Sequence, residues 1–281
     1  VAVTNSNDRS VTLIDAQIIQ VVGTEAVGKK PVADSFFDIF FDVFAPLAKL
    51  YVAEREKKGH GDDDDDDDHH GKGHDDDDDD DDGSKGTVRV LVGPAAPTFG
   101  AAFDFATAKL IGVGNRPEGL AVNPAGTQVW VANRNDDTLS VIDRATDTVI
   151  ATIPLKIVEP PKGKGKAKEK KIGKKPVAIG FSPDGKYAYV VGRNSDNLIV
   201  LSATTYAILA SIEVGNKPVA LAASGDGSKV YLANRSGNTV AVVNTTTPTS
   251  PTLLTQVPVC EEPEGVALLN DGTKLYVTNS E

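Results

Sequence analysis

Apolar and polar positions alternate in short runs along most of this chain, and the runs come in fours. Residues 114–155 show the unit whole: alternation passes through GLAV, VWVA, LSVI and VIATI, and the breaks hold Gly, Pro, Asn and Asp. Period two is the mark of a half-buried strand, and the residues in the breaks are those that turn a chain. The pattern predicts four short strands per unit. A fixed spacing repeats with it: a Pro, a Gly nine residues on, and an aromatic four beyond. It occurs at Pro117, Gly126 and Trp130; at Pro176, Gly185 and Tyr189; at Pro218, Gly227 and Tyr231; and at Pro263, Gly272 and Tyr276. The Gly closes Pro-Ala-Gly, Pro-Asp-Gly, Gly-Asp-Gly or Asn-Asp-Gly, where a tight hairpin needs positive φ. One such unit cannot bury both of its faces, and stacking units around an axis solves that problem. The expected fold is all-β: a β-propeller of four-stranded antiparallel blades, one domain over residues 1–281, with five to six blades' worth of sequence.

VAVTNSNDRSVTLID at the start aligns with VWVANRNDDTLSVID at 129–143, and the chain ends in LYVTNSE. Both ends therefore fall in a second strand, and part of a larger ring is expected. YVTN at 276–279, preceded by NDGTKL and matched by VWVAN and YLAN, resembles the YVTN-type β-propeller repeat of surface-layer and other exported prokaryotic proteins. That resemblance implies a seven-bladed ring and a place outside the cytoplasm: extracellular, on the cell surface or periplasmic. Related propellers include lactonases and haem- or copper-reductase domains. The matching residues are strand and turn residues, so no catalytic role carries over.

The second repeat departs from the rest. Pro31 and Tyr51 stand 20 residues apart where the other repeats have 13. Between them, DSFFDIFFDVFAPL read as a strand places Phe37, Ile39, Phe41 and Val43 on one face, with Phe41 and Val43 aligned to Leu120 and Val122. Read as a helix it gathers Asp34, Asp38 and Asp42 on one face and spaces Phe36, Phe40 and Phe44 by four. The strand reading is preferred, with the extra residues before it. Buried core is the ordinary role for these rings, and a partner-binding patch is the alternative.

Charge adds two insertions. The net charge of −11 hides −14 between 62 and 82 and +7 between 156 and 175, so nucleic-acid binding driven by bulk charge is excluded. The first insertion, residues 56–86, interrupts a strand 2–3 loop. Asp62, Asp63, Asp64, Asp65, Asp66, Asp67 and Asp68 lead to His69, His70 and His74, and then to Asp75, Asp76, Asp77, Asp78, Asp79, Asp80, Asp81 and Asp82. Clustered carboxylates suit Ca²⁺, and the histidines add affinity for Zn²⁺ or Cu²⁺. The spacing matches no defined calcium loop, so exchangeable divalent cations are the reading, against a defined metal site or a solvated loop with no metal role. No organic cofactor is expected. The second insertion, residues 156–175, is Lys-rich and is read as a mobile join between blades.

Strand 2–3 loops and blade-to-blade connections leave an antiparallel blade on the same side, so both insertions are expected on one face. Arg55, Arg134, Arg193 and Arg235, each four residues after the aromatic, join Lys30, Arg116, Lys175 and Lys217, each just before the Pro. This basic rim either braces neighbouring blades or binds an anion such as a carboxylate, phosphate or acidic glycan. A third reading docks the acidic insertion on it. The partner expected on that face is a protein or an anionic cell-surface polymer. Asn5, Asn133, Asn234 and Asn279 recur one residue before the Arg and are read as turn residues.

For catalysis little converges. All four histidines lie at 60–74, and Cys260 stands where other repeats have Gly114, Gly173 and Gly215, so it is read as a small residue packed in a turn. Glu118 and Glu264 sit at the mouths of inner strands and are read as caps. A non-catalytic binding scaffold is the preferred function. A propeller enzyme, lactonase-like or oxidoreductase-associated with its site in the central channel, is the alternative. No stretch is apolar for long enough to span a membrane as a helix.

Overall fold

The computed structural model describes residues 2–5, 10–15, 20–26, 39–42, 49–55, 86–92, 109–159, 168–269 and 272–280. They form a β-propeller of antiparallel blades. Blade 1 holds β1 (Ala2–Asn5), β2 (Ser10–Asp15) and β3 (Gln20–Ala26). Blade 2 holds β4 (Ile39–Asp42), β5 (Lys49–Arg55), β6 (Gly86–Val92) and β7 (Lys109–Val113). Blade 3 holds β8 (Pro117–Val122), β9 (Gln128–Asn133), β10 (Thr138–Asp143) and β11 (Thr148–Pro154). A two-stranded ribbon follows, β12 (Lys156–Glu159) with β13 (Lys168–Lys171). Blade 4 holds β14 (Pro176–Phe181), β15 (Tyr187–Gly192), β16 (Asn197–Ser202) and β17 (Ile208–Glu213). Blade 5 holds β18 (Pro218–Ala223), β19 (Lys229–Asn234), β20 (Thr239–Asn244) and β21 (Thr252–Pro258), and blade 6 holds β22 (Pro263–Leu268) and β23 (Leu275–Asn279). The first strands β4, β8, β14, β18 and β22 lie side by side in chain order, which puts them innermost.

The core lies between blades, not within them. Trp130, Leu139 and Val141 of blade 3 pack with Ile179, Val190 and Ile199 of blade 4. Val129, Val131 and Ile142 of blade 3 face the other way and pack with Tyr51, Val88 and Ile111 of blade 2. Alternation in β9 and β10 therefore separates two buried faces, the burial that stacking of the units was expected to provide. The outer strand β11 is half-buried, with Ile153 buried and Thr148, Ile150, Thr152 and Pro154 exposed.

The hairpin turns are built as their sequence implies. Gly126, Gly185, Gly227 and Gly272 have φ between 67° and 71°. Ser224 and Asp226 brace the third of these turns: the Ser224 hydroxyl donates to Asp226 Oδ1 at 2.6 Å, and Ser228 N donates to the same oxygen at 2.9 Å. These hydrogen bonds favour the carboxylate and lower the Asp226 pKa from 3.8 to about 2. The brace is fully present above pH 3.8 and is lost as the pH falls through about 2. A carboxyl-detected NMR titration should place the Asp226 midpoint near 2; a midpoint at the ordinary aspartate value would show that the brace does not form in solution.

Three sequence readings need correction. In blade 2, Phe40 pairs with Tyr51 and Phe41 with Leu50, so Ile39 and Phe41 take the places of Leu120 and Val122. The strand reading holds over 39–42, but the register differs by two residues from the alignment. A slip of two preserves the alternation, so hydrophobic pattern alone could not detect it. The Lys-rich join is not structureless: Lys156 opposes Lys171 and Glu159 opposes Lys168 in the ribbon. Its base is pinned because Leu155 and Ile172 are buried in the blade 3–4 core and Ile172 N donates to Leu155 O at 2.9 Å. Cys260, finally, is exposed rather than packed in a turn.

Candidate functional site

In blades 3, 4 and 5 the turn from the second to the third strand lies on one face of the ring and holds the next blade. In blade 3 it runs Arg134, Asn135, Asp136, Asp137. Asp137 adopts a left-handed backbone with φ of 53°, as do Asp196 (53°) and Asn238 (50°) at the same point of blades 4 and 5. The side-chain oxygen of each accepts from the residue just before the next blade's Pro: Asp137 from Lys175 N at 2.9 Å, Asp196 from Lys217 N at 2.9 Å, Asn238 from Glu262 N at 3.0 Å. The donors are left-handed too, with Lys175, Lys217 and Glu262 at φ between 47° and 50°, and Arg116 at the same point before blade 3 has φ of 49°. A side-chain-bearing residue rarely takes that conformation, least of all before Pro. It is held here from both sides, since each carbonyl also accepts a backbone N–H: Arg116 from Arg134, Lys175 from Arg193, Lys217 from Arg235. Recurrence around the ring assigns this clasp to architecture.

The recurrent Asn has a larger role than turning the chain. Asn133 is fully buried; its Oδ1 accepts from Gly114 N at 3.1 Å, and its Nδ2 donates to the hydroxyls of Thr138 (3.0 Å) and Ser140 (2.9 Å). Asn234 likewise donates to Val214 O at 2.9 Å and to Thr239 Oγ1 at 3.1 Å. Where Gly192 replaces it, the amide moves to the residue directly across the ladder: Asn197 donates to Ile172 O at 2.6 Å and Ser211 Oγ at 2.7 Å. A buried amide needs such partners, so this position joins strands rather than shaping a loop.

The predicted basic positions have different surroundings. Arg134 is 5% exposed and pairs with Glu118 of its own blade at 3.1 Å. Arg235 pairs across the junction with Glu262 at 2.9 Å and Glu264 at 2.8 Å. Arg193 is buried as the first residue of a 3-10 turn. Glu118 and Glu264, read as caps, are thus the ion-pair partners of arginines. Arg55 ends β5 with its side chain outside the described residues. Lys30 lies outside them, as do the acidic insertion with all its proposed metal ligands and the 93–108 stretch. Among the described residues no three His, Cys, Asp or Glu come together as metal ligands would.

Cationic side chains do gather at one junction. Between blades 3 and 4, under the ribbon, Arg134, Asn135, Asp137, Lys171, Lys174, Lys175 and Asn194 line a cleft of about 350 Å³. Asp137 lies on its floor, 14% exposed, with Lys171 Nζ at 2.7 Å. The hydrogen bond and the charge of Asp137 hold Lys171 above the ordinary lysine pKa. Sequence reading named Arg134 and Lys175 but missed Asp137, Lys171 and Lys174. The signal lay in two apolar residues, Leu155 and Ile172, which bracket the Lys-rich run and bring its far end back to its start.

Both insertions leave from this face. Arg55 opposes Gly86 across the opening of residues 56–85, and Gly86 opposes Val113, beside the clasp at Gly114 and Pro117. One blade on, Thr138 opposes Pro154 where the ribbon starts.

No family model matches the chain, and no curated protein matches it. Solved structures do. A functionally unknown protein from Desulfotomaculum acetoxidans DSM 771 superposes with a TM-score of 0.65 at 12% identity, covering 99% of this chain and 72% of that one. A chain of a mitotic checkpoint complex superposes with a TM-score of 0.61 at 12% identity, covering 97% and 68%. At such identity the likeness shows the fold alone, and among the described residues no helix is long and apolar enough to cross a membrane.

Proposed function

We propose that this chain is a non-catalytic binding scaffold, an exported propeller of the YVTN type that works outside the cytoplasm. It presents one charged face to a protein or an anionic surface polymer, and its Asp/His insertion holds divalent cations, Ca²⁺ first. The observation that supports this reading is the common exit: the strands flanking the −14 and the +7 segments end on the same face, one blade apart. A turn face carrying opposed charges on a rigid ring is a surface for recognition, because loops set on such a scaffold tolerate insertion without disturbing the core.

Calorimetric titration with Ca²⁺ and with Zn²⁺ tests the cation role on the intact chain and on a variant lacking 60–82. Binding should be weak and multiple, with dissociation constants of about 10⁻⁴ to 10⁻³ M for Ca²⁺, and should vanish in the variant. Equal heats from the two proteins would defeat the proposal.

A further inference from the structure

We infer that the cleft between blades 3 and 4 binds a sugar carboxylate, one uronate residue, free or within an acidic glycan; this rests on the binding-face reading and names the ligand for one part of that face. Of the cations that line the cleft, Arg134 pairs with Glu118, Lys171 pairs with Asp137, and Lys175 has an interaction of its own. Lys174 is exposed, and among the described residues no carboxylate meets it. That charge suits a ligand with one carboxylate. The clasp does not account for Lys174, because the same slot holds Asn115, Asn216 and Glu261 at the other described junctions. Two amides add a demand for hydroxyls. Asn135 comes from the blade 3 turn and Asn194 from the blade 4 turn, and neither side chain makes a hydrogen bond among the described residues. An amide presents a donor and an acceptor together, and so does a hydroxyl. Arg134 supplies one more donor: it is 5% exposed, and its Nε–H has no partner, which is costly for a buried group. Acetate would meet the lysine and leave the amide oxygens without a donor, whereas a neutral sugar would meet the amides and leave the lysine's charge unanswered. A uronate satisfies both.

Size agrees with this assignment. A volume of about 350 Å³ is at the small end for ligand pockets and suits a single sugar ring with its carboxylate. The site is also preorganised. Asn194 N donates to Lys174 O at 3.1 Å and Lys174 N donates to Ser195 Oγ at 3.0 Å, which ties the lysine to the turn that carries the amide. On the other side Asn135 N donates to Asn115 O at 3.3 Å, and Leu155 N donates to Asp137 O at 3.0 Å, so the backbone under the ligand is already placed. No aromatic ring lines the cleft, so recognition rests on hydrogen bonds and one solvent-exposed charge, and binding is weak and salt-sensitive. Lys174 and Asn194 are exposed, and neither side chain supports the core, which lets them be changed without unfolding the ring.

The test is titration of the full chain at constant low ionic strength with galacturonate, galactose, acetate and trigalacturonate. Saturable galacturonate binding is expected, with galactose about threefold weaker, as one exposed charge implies, and acetate weaker still. If trigalacturonate binds at least as tightly as the monomer, the ligand is a residue within a glycan; if it binds more weakly, the ligand is the free sugar acid. Lys174→Gln should erase the preference for galacturonate over galactose at an unchanged melting temperature. Asn194→Ala should weaken both sugars by the same factor. Lys186→Gln, which alters an exposed lysine paired with Asp184 in the β14–β15 turn, should change neither. Four results overturn the inference: no saturable galacturonate binding, galactose or acetate binding as tightly as galacturonate, a preference that survives in Lys174→Gln, or sugar binding undiminished in Asn194→Ala. Failure here with Ca²⁺ binding intact sinks the cleft alone, whereas loss of both sinks the scaffold reading.

Discussion

Replacing Trp130 by Ala should cost about 3–5 kcal/mol of folding stability, the largest loss expected from any single change in the described core. Trp130 is fully buried, and its ring meets Phe181 and Tyr206 of blade 4 edge-on at centroid distances of 5.5 Å each. Its Nε1 donates to Gln128 Oε1 at 3.1 Å, and Gln128 Nε2 donates to the Tyr206 hydroxyl at 3.1 Å, so truncation also breaks a polar chain across the junction. Urea denaturation followed by circular dichroism measures the effect. The probe must not be tryptophan fluorescence, because this is the protein's single Trp. Trp130→Phe keeps most of the ring volume and should lose less than half as much. A loss below about 1 kcal/mol for the Ala variant would mean that blades 3 and 4 do not share this core.

Asn133→Ala should cost about 2–4 kcal/mol through a different cause. Truncation leaves Gly114 N and the Thr138 and Ser140 hydroxyls without the partner they now have, in a place where Asn133 itself is inaccessible to water. Asn197→Ala in blade 4 should lose a similar amount, because Asn197 carries the amide there. The two denaturation midpoints should fall together. A neutral Asn197→Ala beside a damaging Asn133→Ala would show that the transposed amide does not replace the one missing at Gly192.

The repeat made the fold legible because the demands of a blade are local: Gly where φ must be positive, Pro where a strand begins, and a large ring where neighbouring blades meet. Trp130, Tyr51 and Tyr189 are all buried as that logic implies. What the sequence hid depends on which segment lies opposite which. VWVA reads the same whether one face or two are covered, and only the neighbouring blades decide it. The register of β4 was hidden by a slip of two, to which alternation is blind. Asn133 looked like a turn residue because Asn favours turns, yet its role is set by Gly114, nineteen positions upstream. The cleft was half visible. Arg134 and Lys175 belong to the repeat, but Lys171 and Lys174 reach it through a ribbon that Lys-Gly composition disguised.

Because each interior layer is made jointly by two adjacent sheets, no blade owns the material that stabilises it. Excising blade 3 would remove both the layer around Trp130 and the layer around Tyr51, and so strip a side from blades 2 and 4 as well. The unit of stability is accordingly the contact between neighbours, and heat should melt the described blades as a coupled array rather than as separable parts.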